Sequence, residues 1–358
     1  MDEVARIRRE IDRIDQETIS LLKTRYELAR LLGRIKRIHD LPIRDQKRER
    51  AILLKVQRIA EIKSLPFEPI RKIFLENFAL ALSAQDPGNH GHELQGHDVL
   101  IAGGTGGMGK LFACFLAKHG ASVKIFGRSP VRTRRVAKAV GVLPGDYSDA
   151  GKASIVLVSL PMEVTPRVAL RLGSMMNPEG LLADLSSVKT GIADVISRGT
   201  RHIEYVSLHP LFGPDVAHIG GQQIAAIPYR EGSMWKRLLR VFKQEGARVV
   251  FTTSSEHDAA MAKIQALHHF ALINLGIALG ESRGKFSTRS LRSTQAQIQK
   301  LTNNWETILG IQRLNPFAAR ERKRFHKIGS EIKGMSQRDA GLSYRSLSRY
   351  VQNWSRKQ

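Results

Sequence analysis

Apolar side chains recur at alternating steps of three and four along the start of the chain: Val4, Ile7, Ile11, Ile14, Leu21, Leu28, Leu32 and Ile35, with Thr18 taking one place in the series. This is the heptad form of helical periodicity. It predicts one helix over about residues 3–38, roughly 50 Å long at about 1.5 Å per residue. So long a helix cannot bury its seam within its own small helical unit, so a second copy of the chain is the natural cover and a homodimer is expected. One place in the seam is wrong for packing. Position 25, where the pattern asks for an apolar residue, is Arg25.

Pro42 in LPIRDQ interrupts the pattern, and Asp45 is placed to cap a second helix over about 46–63. SLPFEP interrupts again, and a third helix carries Ile70, Phe74, Phe78, Ala81 and Gln85 on one stripe. DPGNHGHELQG, residues 86–96, reads as a linker. From residue 97 the period changes. HDVLIAGG, ASVKIFG, SIVLVSLP, GLLADLSS, IEYVSLHP, QQIAAIPY and GARVVFTT are strand candidates, several of them separated by helical stretches, the pattern of a mostly parallel βαβ sheet. From Ser254 onward the chain reads as helical again. The expected architecture is multidomain: an all-α unit over 1–85, the linker, an α/β Rossmann-like unit over 97–253, and an all-α unit over 254–358 that serves dimerisation. The last ends in a basic amphipathic helix with Tyr344, Leu347, Val351 and Trp354 on one stripe, expected to dock on its own domain.

Composition narrows the function classes. With 42% hydrophobic and 25% charged residues the chain is globular in type. A single cysteine, Cys114, excludes an internal disulfide framework and points to a reducing compartment. No apolar run is long enough for a membrane span, and MDEVARIRRE lacks the apolar core of a signal peptide, so a cytoplasmic location is expected. No metal-ligating cluster is read. The net charge of +24 suits nucleic acid, but equally steers small anionic substrates; residues 281–358 hold 17 Lys/Arg against 5 Asp/Glu.

VLIAGGTGGMGKLF places Gly104, Gly106 and Gly109 in G-x-G-x-x-G spacing between a strand and a helix. Glycines let the backbone approach a pyrophosphate, and the helix N-terminus supplies N–H groups and a positive dipole end. Gly104, Thr105, Gly106, Gly107, Met108 and Gly109 are therefore the expected dinucleotide loop. At the end of the second strand, where NAD sites carry an acid, the chain reads IFGRSP. A carboxylate would repel a 2′-phosphate, whereas Arg128 beside Ser129 pairs with it. NADP is expected, with NAD as the alternative.

SLHPLFGPD puts His209 at the end of a later strand, where open α/β sheets bind ligands, and a histidine there suits a general base. DLSSVKTG leaves Ser187 and Lys189 at the end of the preceding strand, so a hydroxyl and an imidazole can share one substrate hydroxyl. With GGTGGMGKLF, VSLPMEVT, DLSSVK, LHPLFGPD and EHDAAMAKIQALHHF in this order, residues 97–280 resemble prephenate dehydrogenase. The resemblance implies that His209 deprotonates the substrate's 4-hydroxyl, that Ser187 bonds the same group, that Asp215 lies at the mouth, and that Ser159 and Pro161 flank the nicotinamide. It implies oxidation with loss of CO₂, giving 4-hydroxyphenylpyruvate from prephenate, and leaves arogenate open as substrate. It also implies a cation for the substrate's carboxylates, for which Lys300 and Arg292 are the candidates. His257, His268 and His269 fall on family positions, where packing and ligand contact are both open.

Residues 4–85 resemble the all-helical chorismate mutase through IRREIDRID, LLKTRYELA, GRIK and LPIRDQKRER. That reaction rearranges a dianion internally; it needs a held conformer and stabilised charge on the ether oxygen, not an acid, base or cofactor. Arg25 and Lys36 stand about three turns apart on one face, whereas Arg8 lies roughly 100° round the helix from Arg25. The resemblance implies that Arg8 serves the site of the partner subunit, that Arg48 binds a carboxylate and Glu49 a hydroxyl, that Asp45 belongs to the site, and that Gln85 lies near the ether oxygen. A hydroxyl-bearing family position is Ala81 here. Together the resemblances imply a bifunctional enzyme of tyrosine biosynthesis acting on chorismate and prephenate, among whose relatives inhibition by tyrosine is common. The alternatives are a monofunctional prephenate or arogenate dehydrogenase with a dimerising or regulatory helical unit, and a basic nucleic-acid-binding protein, which the motifs disfavour.

Overall fold

A computed structural model describes residues 2–39, 41, 45–85, 93–216, 219–280, 287–331, 344–349 and 351–352. Three helices come first: α1 (Asp2–Ile38), α2 (Gln46–Ile62) and α3 (Phe67–Gln85). Asp45 is extended and its carboxylate accepts from the Arg48 N–H at 3.0 Å, the cap its position predicts. The second half of α1 packs on α3, with Ala29 and Gly33 buried. A Cβ at Gly33 would collide with the Gln85 carbonyl, so glycine is what lets the helices close there. The first half of α1 has no cover among the described residues: Val4, Ile7, Ile11 and Ile14 are each more than half exposed.

The α/β unit comprises β1 (Asp98–Ala102), α4 (Gly107–Lys118), β2 (Ser122–Phe126), α5 (Pro130–Val140), β3 (Leu143–Pro144), β4 (Ile155–Val158), α6 (Thr165–Gly173), β5 (Leu181–Asp184), α7 (Ala193–Gly199), β6 (Glu204–Pro210), β7 (Gln223–Arg230), α8 (Ser233–Gln244) and β8 (Arg248–Phe251). The strands form one sheet in the order β3-β2-β1-β4-β5-β6-β7-β8, parallel except for β6 against β7. β3 has no counterpart in the sequence reading, because two residues cannot carry a period. Val99 and Ile101 face one apolar layer, Leu100 and Ala102 the other. A sheet covered on both faces needs apolar side chains at successive positions, which is why its strands read as unbroken apolar runs. Strand order reverses between β1 and β4, opening the crevice in which such sheets bind ligands.

The remainder is helical: α9 (Ser254–Met261), a π-helical turn (Ala262–Leu267), α10 (His268–Leu279), α11 (Arg289–Asn303), α12 (Trp305–Leu314) and α13 (Ala318–Glu331). Residues 344–349 and 351–352 are also helical, with Tyr344, Leu347 and Val351 exposed. These three side chains of the stripe expected to dock are thus exposed, and the rest of the stripe lies outside the described residues. Trp354 and linker residues 86–92 lie outside the described residues. Among the described residues no helix is long and apolar enough to cross a membrane, and no three His, Cys, Asp or Glu side chains are grouped to hold a metal ion.

Candidate active sites

The three N-terminal helices enclose a cavity of about 260 Å³ into which Arg25, Lys36, Asp45, Arg48, Glu49 and Gln85 all reach, with Ala81 beside them. Arg25 donates from Nη1 to the Asn77 carbonyl at 2.9 Å, and its guanidinium lies 5.8 Å from the centre of the Phe78 ring. The arginine is thus held in the seam by a backbone acceptor and an aromatic face of α3 rather than snorkelling to solvent. Neither contact was named from the sequence. Phe78 was visible on the apolar stripe, but a main-chain carbonyl leaves no trace there. Gln85 is 7% exposed, and its Nε2 donates to the Ala81 carbonyl at 3.4 Å. Arg8 does not line this cavity; it is exposed on the first half of α1, roughly 25 Å along the helix from Arg25.

The second site begins at the turn from β1 into α4. Gly103 has a φ of +83°, and a Cβ there would collide with the Ser159 carbonyl; one at Gly109 would collide with the Gly103 carbonyl, and one at Gly104 with Ile125. Thr105 packs beside Gly127 at the end of β2, and Gly106 and Gly107 are exposed at the N-terminus of α4. A cradle of bare backbone at a helix N-terminus fits the phosphates of a nicotinamide dinucleotide. At the end of β2 stand exposed Arg128 and Ser129, the latter capping α5 by accepting from the Arg132 N–H at 3.3 Å. The Ser159 N–H donates to the Ala102 carbonyl at 2.8 Å just beyond β4, and Pro161 is exposed two residues on.

A cavity of about 470 Å³ joins Met108 of the glycine turn to Ser187, His209, Gln265, His269 and Lys300. His209 is 4% exposed and its backbone is paired with Ala225 of β7. Its Nδ1 lies 2.9 Å from Nε2 of His257, whose Nδ1 lies 2.8 Å from Oδ1 of Asp258. Asp258 also accepts from the backbone N–H groups of Lys189 at 3.0 Å and Thr190 at 2.8 Å. Burial would raise its carboxyl, but the hydrogen bonds from His257, Thr190 and Lys189 hold it below the usual carboxylate range. The ionised Asp258 can only accept, so His257 carries its proton on Nδ1 and offers a lone pair at Nε2. His209 then donates from Nδ1, which leaves its Nε2 unprotonated. Burial first, then the Lys189 ammonium and His257, push the His209 pKa well below its usual value.

Lys300 reaches this cavity from α11, but Arg292 does not; it is exposed, and its Nη1 donates to the Ser287 carbonyl at 3.4 Å. Asp215 is exposed beside the lining residues Gly213 and Pro214. Sequence reasoning left His257 between packing and ligand contact and did not name Asp258; the adjacent His-Asp pair opening a helix was the available signal. It also missed Gln265, whose buried Oε1 has no hydrogen-bond partner among the described residues, as is true of His269 Nδ1. Burial and the neighbouring His268 take the His269 pKa down to about 4. His257 and His269 are twelve residues apart, about 120° of rotation in an α-helix; the π turn takes back about 100°, one residue's worth. That local unwinding brings the two histidines toward one side of the helix, His257 against His209 and His269 at the cavity wall, which a regular helical reading cannot foresee.

Residues 7–86 match the chorismate mutase type II family, and residues 112–251 match the nucleotide-binding domain of prephenate dehydrogenase. The chain is 31% identical over 286 residues to the T-protein of Haemophilus influenzae, covering 78% of this chain and 71% of that one. It is 31% identical over 284 residues to the T-protein of Enterobacter agglomerans, with the same coverage. It shares its fold with the prephenate dehydrogenase of A. aeolicus crystallised with hydroxyphenyl propionate and NAD+, at a TM-score of 0.59 and 17% identity, covering 74% of this chain and 99% of that one. One family match falls on the cationic helical cavity, the other on the dinucleotide sheet, and the T-protein alignments are long enough to span both. The chain belongs to the T-protein family, the bifunctional chorismate mutase/prephenate dehydrogenases of tyrosine biosynthesis.

Proposed function

We propose that the helical cavity rearranges chorismate to prephenate and that the cavity at the sheet edge oxidatively decarboxylates prephenate with NADP. In the first, Arg25 and Arg48 hold the carboxylates, Lys36 and Gln85 stabilise charge growing on the ether oxygen, and Glu49 accepts from the substrate's hydroxyl, with Asp45 at the same wall. Nothing is transferred to the protein, so rate depends on how well these charges are pre-placed. Ala81 offers no hydroxyl, which leaves the site one contact short. Arg8 of the partner subunit completes it in a homodimer, a reading supported by the uncovered Val4, Ile7, Ile11 and Ile14.

In the second, the loop Gly104–Gly109 cradles the dinucleotide phosphates, Arg128 and Ser129 bind the 2′-phosphate, and Ser159 and Pro161 flank the nicotinamide. The bound dinucleotide supplies the hydride acceptor. Ser187 and His209 share the 4-hydroxyl, and Nε2 of His209 takes its proton as the hydroxyl-bearing carbon is oxidised. The ring carboxylate leaves as CO₂ and the ring becomes aromatic. Lys300 meets a substrate carboxylate as a point charge, Asp215 stands at the mouth, and Arg292 lies outside. Tyrosine, a 4-hydroxyphenyl compound like the product, competes for the same cavity.

The observation that carries this reading is one cavity uniting the glycine-turn residue Met108, Ser187 and His209, whose Nδ1 is engaged by the His257–Asp258 pair. Steady-state kinetics with chorismate, prephenate and arogenate against NADP and NAD test it. Expected are cofactor-free turnover of chorismate, oxidation of prephenate with preference for NADP, and inhibition by tyrosine competitive with prephenate. Preference for arogenate or for NAD overturns the corresponding assignment.

A further inference from the structure

Lys189 has no solvent exposure, an unusual condition for a lysine. Its Nζ donates to Ser207 Oγ and to the Leu208 carbonyl, each at 2.7 Å, and lies 3.6 Å from Asp184 Oδ1. Two acceptors thus take hydrogen bonds from the ammonium, and Asp184 supplies the countercharge. Asp184 is fixed in turn by the Tyr205 hydroxyl at 2.8 Å and the Ser186 N–H at 2.9 Å. Burial would raise its carboxyl, but Lys189 and its hydrogen bonds from Ser207 and Ser186 keep it below its ordinary value. The backbone N–H of Lys189 meanwhile donates to Asp258 at 3.0 Å. One residue therefore fastens the carboxylate that orients His257 and the two residues of β6 that precede His209. A buried ion pair contributes little net stability, and apolar groups of similar volume often replace it without loss. Stability alone does not account for this one.

We infer that Lys189 is a positioning residue of the dehydrogenase: a buried cation that keeps His209 in its neutral, basic form and whose contacts hold His209 and Asp258 in reach of His257. The inference rests on the reading of His209 as the base. The charged and titratable groups around His209 are His257, which contacts it, Asp258 behind His257, Lys189 and its partner Asp184 beside the preceding residues of β6, and His269 of α10 and Lys300 of α11, which line the same cavity. Asp258 is committed to His257 and Asp184 to Lys189. Of the two lysines, Lys189 is the one in the interior, where screening is weakest, and its charge opposes a further positive charge at His209.

Lys189→Met alone would strand the Asp184 carboxylate in the core. The test therefore uses Lys189→Gln with Asp184→Asn, which removes both charges and keeps donors for Ser207 and Leu208, Lys189→Met with Asp184→Asn, which removes the donors as well, and Lys189→Arg, which keeps the charge. In the full-length enzyme, kcat/KM for prephenate with NADP is followed against pH, with chorismate turnover as the check of folding. The acid limb is expected to move up by about one pH unit in both neutral double variants and to stay in place in Lys189→Arg. An acid limb at the wild-type pH in a folded double variant overturns the inference. NMR titration of the His209 imidazole in wild type and Lys189→Gln/Asp184→Asn reads the same shift without turnover. A wild-type enzyme that does not oxidise prephenate therefore refutes the reading of the site while the role of Lys189 is still decided by that titration.

Discussion

Arg25 lines one cavity and His209 the other, and they are housed differently. Arg25 is partly exposed and tethered to the Asn77 carbonyl. Lys36 and Glu49 are also partly exposed, and Arg48 and Asp45 are exposed. His209 is 4% exposed, His257 3% and Asp258 not at all. The difference follows the chemistry. A rearrangement that exchanges no proton with the protein needs fixed charges at fixed places, which helices and long side chains supply. A proton transfer needs a group that is neutral before the step and charged after it, so its proton has to be assigned by neighbours that water cannot disturb.

The comparison breaks most readily at His209. His209→Asn is expected to lower prephenate oxidation by about 10²–10⁴-fold, the usual contribution of a general base, with chorismate turnover unchanged. Arg25→Ala is the mirror experiment: chorismate turnover falls by roughly 10²–10³-fold while prephenate oxidation holds. Because the seam then regains a small apolar residue, its thermal transition is expected at or above that of the wild type, and unchanged chorismate turnover would return Arg25 to a packing role. Asp258→Asn sharpens the relay. Losing the group that orients an imidazole is expected to cost about 10–100-fold in prephenate oxidation, with KM for NADP unchanged. Arg128→Ala is expected to raise KM for NADP about tenfold and leave that for NAD alone, as loss of a charge-assisted contact should.

The smallest effect is on stability. The folded-state pKa of His269 is about 4, below the usual value near 6.5, because burial and His268 oppose its charge. Between those values the unfolded chain binds a proton that the folded chain does not, so stability falls as pH drops from about 6.5 toward 4. His209 acts with the same sign, since burial, Lys189 and His257 depress its pKa. Thermal melts at pH 7.5 and 5.0 check this: a lower midpoint at the acid pH is expected, and the loss should shrink in His269→Phe. No histidine lines the helical cavity among the described residues, so the acid limb expected of prephenate oxidation has no histidine counterpart in chorismate turnover.

Much of the lining of both candidate sites was legible beforehand. Arg25 stood out because it broke a period, the glycine turn because its spacing serves one geometry, and His209 because it ends a strand of a parallel sheet. Lys300 was the first candidate for the carboxylate-binding cation and Arg292 a second basic place; of the two, the fold brings Lys300 into the cavity. His257 was ambiguous because a helix of regular winding turns it away from His269, and the π turn after Met261 is not written in any residue pattern. Lys189 was noted for its place at a strand end, whereas its burial and its grip on Asp258 were not foreseeable.

By itself the sequence determined the order of helical and sheet units, the dinucleotide turn and the cations of the helical seam, because periods, caps and glycine spacings are local properties of the chain. Only the tertiary structure decided which groups share protons and charge. Arg25 meets Asn77 across 52 residues, His209 meets His257 across 48, and Lys189 meets Asp258 across 69. A proton's place on an imidazole depends on which acceptor faces it, and that is settled by the packing of α9 against the ends of β5 and β6, not by any residue's neighbours in the chain.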